Sequence, residues 1–430
     1  FQDYLYLNEF KEISILSKLV RLKLSAKVFH TIKLKEKSKY VNGKTERYYK
    51  VPALTKLDKL ISSAEEGLDR ELNAEILLSD IKSELESFNI FVSILYLKRL
   101  NFVGYQLFPI FESFSNLTVL KLYECTIPYS SFVNLVVSFP KLKSIELTSL
   151  LLIKLPKDRI DSEKTIFPPN LSCLNISIIQ VTEPGCLFNL YRQLFNELEA
   201  NDIHKYNFPI ISMPSLKKLY INNDYDEDYD LEGFLHINPN LESLVVEKFY
   251  LDKSYKFKSL KSLSISKVYC IRNEVNFPDQ EGIRELALYI EENANFNNVT
   301  KLCLSCPEVE KLHFSMQNIN DYQLAFNCFL IPILAKLPKL KTLHLGINTY
   351  KSDALDITNF LHIENLAFYM TGPFILNIKF DNCDSLKSIE FNSNSFENAE
   401  YMKEFKYLFQ KIINWKFKYL KRSIKGFKLL

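Results

Sequence analysis

The chain has 430 residues, of which 47% are hydrophobic and 24% charged, so it is long enough for two or three ordinary domains or one elongated array. Only 9 residues are Gly, which argues against a phosphate-cradling or doubly wound enzyme, since those folds use glycine for tight turns and close backbone approach. A net charge of +3 exerts no global pull toward nucleic acid.

Residues 1–34 are expected to be helical. Phe1-Gln-Asp-Tyr4-Leu5 is followed by Leu16, Leu19 and Leu22 at three-residue spacing, then by Lys27-Val-Phe29. This arrangement resembles the F-box family, in which a helix ending in Tyr-Leu precedes a Leu-x-x-Leu-x-x-Leu segment and a Lys-x-aromatic element. The family's opening Leu-Pro-x-Glu would fall before Phe1, and because Phe1 is not a start methionine the chain is expected to belong to a longer product. The resemblance implies docking on the adaptor subunit of a cullin–RING ubiquitin ligase through Tyr4, Leu5, Leu16, Leu19, Leu22, Lys27 and Phe29.

Residues 35–55 form a lysine-rich linker or hairpin around Asn42-Gly43. Over 56–96, Leu57, Leu60, Ile61, Ala64, Leu68, Leu72, Ile76, Leu85 and Phe88 keep roughly helical spacing among acidic residues. That pattern predicts a helical N-terminal cap over the open end of whatever follows.

From 97 to 400 the pattern Leu-x-x-Leu-x-Leu returns, most clearly at Leu117–Leu122, Leu340–Leu345 and Leu386–Phe391. Aligned on the first apolar position, the copies start at Leu97, Leu117, Leu142, Leu171, Leu216, Leu241, Leu260, Ile283, Val299, Leu340, Ile363 and Leu386. Val309–Phe314 is a closer-spaced extra copy. The array resembles the leucine-rich repeat family, whose repeats stack into a horseshoe-shaped solenoid and recur every 20–29 residues or so. The resemblance implies an α/β fold with one short strand per repeat, apolar residues inward and the intervening residues outward on the concave face. The interval from Leu171 to Leu216 is longer and holds a helical stretch near 186–204, while Asp224–Asp230 reads as a solvated acidic loop.

Residues 401–430 mix nine Lys and Arg with Phe405, Leu408, Ile412, Trp415, Leu420 and Ile424. This is expected to be a basic amphipathic helix that closes the last repeat. The most apolar stretch, Phe326 to Leu337, is too short to span a bilayer, so no membrane span is expected.

Eight Cys are scattered rather than clustered, which suits a reducing, intracellular compartment, cytoplasmic or nuclear. No glycine-rich nucleotide loop, nucleophile elbow or His-Glu-x-x-His metal motif occurs, so no catalytic residue, metal or cofactor is expected. Cys303-Leu-Ser-Cys306 is a lone pair that His313 could face if Val309 begins the adjacent strand.

The outward strand positions are mixed, with tyrosines among small polar residues, which suits a protein ligand. Lys218, Tyr220, Tyr289, His313, His344 and Tyr369 are the candidate contact residues. A phosphate-tracking face would need a Lys and Arg stripe that these positions lack, so nucleic acid is not expected. Together the two resemblances imply a substrate-recognition subunit of a cullin–RING ubiquitin ligase. The alternatives are a leucine-rich repeat scaffold without a ubiquitin role, in a chromosomal, signalling or cytoskeletal assembly, and a cell-surface recognition protein.

Overall fold

The computed structural model describes residues 29–41, 44–49, 56, 68–86, 89–100, 102–155, 167–183, 203–206, 210–222, 231–248, 256–267, 278–290, 296–316, 322–347, 354–358, 360, 362–370, 377–379 and 383–429. The chain divides into two compact units, residues 1–229 and 230–430.

In the first unit, β1 (Thr31–Val41) runs into β2 (Lys44–Tyr49) as an antiparallel hairpin around Asn42-Gly43, with Val41 opposite Lys44. Asn-Gly is the dipeptide that supplies the positive φ angles a two-residue hairpin needs. Thr31–Lys35 of the same strand pairs in parallel with β3 (Ile94–Lys98). Residues 31–34 are therefore strand, within the span that sequence pattern assigned to a helix. Among the described residues the parallel sheet thus begins at β1, before the N-terminal cap rather than after it.

From β3 the sheet continues in parallel through β4 (Val119–Tyr123), β6 (Ser144–Ile153), β7 (Cys173–Thr182) and β9 (Lys218–Asn222). The leucines form columns, with Leu95, Leu120, Ile145, Leu174 and Leu219 aligned across five strands and all buried. This register corrects one alignment. Leu97 pairs with Leu122, the third apolar position, so the repeat that contains β3 opens at Val92 and not at Leu97. Both readings satisfy the spacing, because Leu95, Leu97 and Leu100 are all apolar; only strand pairing chooses between them.

Along four of these strands the chain turns through a left-handed residue, Arg99 just after β3, Glu124 just after β4, Ser149 within β6 and Ile178 within β7, with φ of 57°, 51°, 53° and 52°. Such a conformation costs an L-residue about 1–2 kcal/mol. The corner is held because it leads into a second ladder, where β5 (Thr126–Pro128) pairs with Leu151–Ile153 and residues 150–153 pair with 179–182. The amides of Arg99 and Glu124 donate to Tyr123 and Thr148 carbonyls at 2.8 Å, and the two side chains form a 2.8 Å ion pair along the row of corners.

Helix α1 (Leu68–Glu86) lies within the predicted cap, and α2 (Phe102–Phe111) buries Val103, Leu107, Phe108 and Phe111. Of the predicted helical stretch 186–204, only Ile203 and His204 are described, and they belong to β8 (Ile203–Lys205), antiparallel to β7. The acidic run Asp224–Asp230 lies outside the described residues.

In the second unit, α3 (Leu231–Ile237) precedes seven parallel strands among the described residues: β10 (Ser243–Lys248), β11 (Ser262–Lys267), β12 (Glu285–Ile290), β13 (Lys311–Met316), β14 (Thr342–Ile347), β16 (Asn365–Met370) and β18 (Ser388–Ser393). Just ahead of the strands, oppositely charged side chains pair between neighbouring repeats: Lys261 with Glu242 at 2.9 Å, Arg284 with Glu310 at 3.7 Å and Lys387 with Glu364 at 2.8 Å. Each exposed pair contributes at most about 1 kcal/mol, and a one-residue slip at β12 and β13 would set Arg284 against Lys311 or Glu285 against Glu310. A separate two-stranded ladder joins β15 (Ala354–Asp356) to β17 (Asn377–Lys379).

Two sequence expectations change here. Val299–Leu304 is not a strand but part of α4 (Phe296–Leu304), which buries Val299, Leu302 and Cys303 on one face. A strand there would start only ten residues or so before β13, and a parallel crossover needs about a dozen or more. Val309–Phe314 is the true repeat. The second change is at the C-terminus, where the helix stops early as α5 (Ala399–Phe409), begun by the Asn398 side chain accepting from the Glu400 amide. Residues 415–428 form a hairpin instead, β19 (Trp415–Tyr419) and β20 (Ser423–Lys428), with β20 antiparallel to β18. Trp415-Lys-Phe-Lys-Tyr419 alternates apolar and charged residues, the period of a strand and not of a helix. Phe368, Phe391, Phe409 and Phe417 stack in succession at 5.5, 5.1 and 4.6 Å, so α5 and the hairpin close the core behind β18.

Candidate functional site

Because the inward positions are filled with Leu, Ile and Phe, each strand presents its alternate residues to solvent. In the second unit the register aligns Ala287, His313, His344, Ala367 and Glu390 in one outward row. It aligns Tyr289, Ser315, Gly346, Tyr369 and Asn392 in the next. Small residues at 287, 346 and 367 leave the larger rings room to lean together. His313 lies 5.5 Å from Tyr289, 5.8 Å from His344 and 5.7 Å from Tyr369, ring centre to ring centre. His344 is 5.7 Å from Tyr369. Four residues from β12, β13, β14 and β16 thus form one ring cluster on the sheet face.

Gly346 sets its floor. A Cβ at this position would lie 2.5 Å from the Ser315 hydroxyl oxygen and 2.9 Å from Ser315 Cβ, so only glycine lets β13 and β14 close with Ser315 buried between Tyr289 and Tyr369 in the same row. Tyr369 keeps 41% of its surface exposed, enough for its ring edge and hydroxyl to meet a partner.

The electrostatics favour a neutral surface. Burial is the main cause that lowers the His313 pKa, to about 4, with the His344 ring and the Lys311 ammonium adding to it. Burial and Lys311 also lower His344, while Glu390 and Glu285 pull the other way. Glu390 is itself held by Lys425 of the closing hairpin at 3.0 Å. At neutral pH the two imidazoles are uncharged, each offering one donor and one acceptor beside tyrosine hydroxyls.

Lys218 and Tyr220 belong to β9 of the first unit, opposite Cys173 and Asn175 of β7, with Lys218 exposed and Tyr220 half-buried. Of the F-box-like set, Phe29 is half-buried just before β1. Tyr4, Leu5, Leu16, Leu19, Leu22 and Lys27 lie outside the described residues.

Cys303 and His313 do not meet, since Cys303 is fully buried in α4 while His313 is on the outward face. Burial pushes the thiols of both Cys303 and Cys306 up, the latter to about 12, so each stays protonated. Among the described residues no group of three or more His, Cys, Asp and Glu could hold a metal ion.

One feature escaped the sequence reading. With β1 in the sheet, Lys33 pairs with Tyr96 and Lys35 with Lys98, so the outward face of the first unit carries the lysine row that the repeats from 97 onward lack. The signal was present as Lys33, Lys35, Lys37 and Lys39 at every second residue, the period of a strand.

No protein-family model matches the sequence, and no curated protein does. Among solved structures, the chain is similar to one in a TLR13–ssRNA13 complex, at 15% identity and a TM-score of 0.35, over 70% of this chain and 45% of that one. It is also similar to an internalin (inlF) from Listeria monocytogenes str. 4b F2365, at 16% identity and a TM-score of 0.26, over 65% of this chain and 82% of that one. This chain therefore spans less than half the length of the TLR13 chain. Likeness at these scores is too loose to build on, and the repeat array stands on its own leucine columns and parallel register. No helix among the described residues is long and apolar enough to cross a membrane.

Proposed function

We propose that this chain is a non-catalytic leucine-rich repeat scaffold that binds a protein partner on the outward face of its strands, centred on Tyr289, His313, His344 and Tyr369. The observation that carries the reading is the convergence of these four rings, from four different strands, on a solvent-facing surface bordered by alanines and glycine. Tyrosine offers a large, stiff, amphipathic contact at low entropic cost, and such residues dominate interface energetics. Neutral imidazoles add hydrogen-bonding capacity without the desolvation penalty of a buried charge. A reducing intracellular location is supported by the free thiols of Cys125, Cys173, Cys303, Cys306, Cys328 and Cys383.

The test is quantitative affinity purification with wild-type protein and with a Tyr289→Ala/Tyr369→Ala double variant of matched thermal stability. Proteins retained by the first and lost, at least tenfold, from the second would be partners of this face. Identical retention by both would refute the assignment. The finer role, a substrate receptor for a cullin–RING ubiquitin ligase, is supported by the F-box-like pattern of residues 1–29. Its measure is direct binding to the ligase adaptor, with Leu19→Asp/Leu22→Asp as the control.

A further inference from the structure

We infer that the lysine-bearing outward face at the N-terminal end of the first unit is a docking site for an extended acidic peptide segment, one with a carboxylate at every second residue. The inference rests on the interaction-scaffold reading but on different residues from the ring cluster.

The starting point is a charge pattern that folding does not explain. In this unit, Lys121 on the outward face of β4 is answered by Glu146 of β6 at 2.7 Å, and at the corners Arg99 is answered by Glu124 at 2.8 Å. Three Lys or Arg to Glu pairs likewise join neighbouring repeats ahead of the second unit's strands. Across β1 and β3 the lysines have no such answer among the described residues. Lys35 stands directly opposite Lys98, and like charges across a parallel pair are destabilising. None of Lys33, Lys35, Lys37 and Lys98 has a carboxylate within ion-pair distance among the described residues. The face keeps an unfavourable concentration of positive charge that an anionic ligand would relieve.

Geometry then narrows the ligand. Lys33, Lys35 and Lys37 are alternate residues of β1, so their side chains leave the strand about 6–7 Å apart, and Lys98 adds a second row about 5 Å away. A peptide in extended conformation with acidic residues at alternate positions repeats its carboxylates at the same spacing. The aromatic residues of the patch are not free platforms for bases. The Lys33 ammonium sits 4.6 Å over the Tyr96 ring, Tyr96 and Tyr123 are 5.3 Å apart, and Lys98 lies 5.9 Å over Tyr123. With their faces already covered, these rings are poorly placed for the base stacking on which single-strand binding depends. What the surface presents is a set of ammonium groups braced by rings, suited to carboxylates.

The experiment uses the full chain and a fluorescein-labelled peptide of alternating Ser and Glu, about ten residues long. The controls are a Ser and Gln peptide and a single-stranded oligothymidylate of equal charge. We expect anisotropy to show binding of the Glu peptide but not the Gln peptide, with affinity falling as salt is raised from about 0.05 to 0.3 M. A Lys35→Glu/Lys37→Glu variant should lose at least tenfold in affinity while its thermal midpoint stays level or rises, because Lys35→Glu converts a like-charge pair with Lys98 into an opposite one. Oligothymidylate binding tenfold tighter than the peptide would overturn the assignment in favour of phosphate recognition. Failure of the Glu peptide to bind, or binding unchanged in the variant, would overturn it outright. Because Tyr289 and Tyr369 are untouched, neither result bears on the ring cluster, whose own double variant tests it separately.

Discussion

Acidification should destabilise the second unit through His313, and the size of the effect follows from its surroundings. The folded protein holds this imidazole at a pKa of about 4, against an ordinary value near 6.5 in the unfolded chain. Between those values the unfolded state binds the proton and the folded state does not, so stability rises with pH. The contribution is fully present above about pH 6.5 and is lost as pH falls toward 4. Taken at face value, the shift would cost about 2 kcal/mol at about pH 5. The ring is only half-buried, so solvent screening reduces that to about 1 kcal/mol. Urea denaturation followed by circular dichroism at about pH 7.5 and pH 5, on the wild type and on His313→Gln, isolates the term, because glutamine cannot titrate. The variant should lose less stability on acidification by about 1 kcal/mol, and NMR of the imidazole carbon-bound protons should place one histidine well below the others. An identical pH response in both proteins, or His313 titrating near 6.5, would refute the burial argument and with it the neutral character of the cluster.

Three further outcomes follow from packing. Phe391→Ala removes a fully buried ring stacked between Phe368 and Phe409, and should cost about 3–5 kcal/mol in urea denaturation. Gly426→Ala would bring a methyl group within 2.5 Å of the Phe417 ring and 2.9 Å of Ile389. It should destabilise the C-terminal hairpin by about 1–3 kcal/mol, with amide exchange quickening first in β19 and β20. Ile178→Asn should be neutral or stabilising by up to about 1 kcal/mol, because asparagine tolerates the left-handed conformation better than a β-branched residue. Its neighbour Ile179 is 4% exposed, so Ile179→Asn should cost about 3 kcal/mol or more, a contrast that thermal melts would read directly.

What was legible in the sequence was whatever depends on local period. Leu117–Leu122, Leu340–Leu345 and Leu386–Phe391 could be read as inward-facing strand positions because alternation decides which side of a strand a residue faces. The outward placement of Tyr289, His313, His344 and Tyr369 followed from the same rule. Their gathering into one cluster did not, because it depends on which strands are neighbours and on the small residues between them. The misreadings have a common origin. Val299-Thr-Lys-Leu-Cys-Leu304 satisfies the repeat spacing and a helical face alike, and its helix was chosen by the ten residues or so that separate it from the next strand. Trp415–Tyr419 alternates as a strand does, but the surrounding lysines suggested an amphipathic helix; the hairpin around Asn42-Gly43 was legible from its turn residues, whereas the pairing of Thr31–Lys35 with β3 was not.

The sequence by itself determined that this protein is a repeat array with an apolar interior, since a period of two within each strand and about two dozen residues between strands leaves few other ways to bury the leucines. Only the tertiary structure decided that β1 belongs to the array and how the last described repeat is covered. β1 joins the first unit across about 50 intervening residues, and the C-terminal hairpin covers the last strand through Phe391, Phe409 and Phe417. Pairing partners distant in sequence leave no mark on local periodicity, and they alone bring Lys35 beside Lys98 and His313 beside Tyr369.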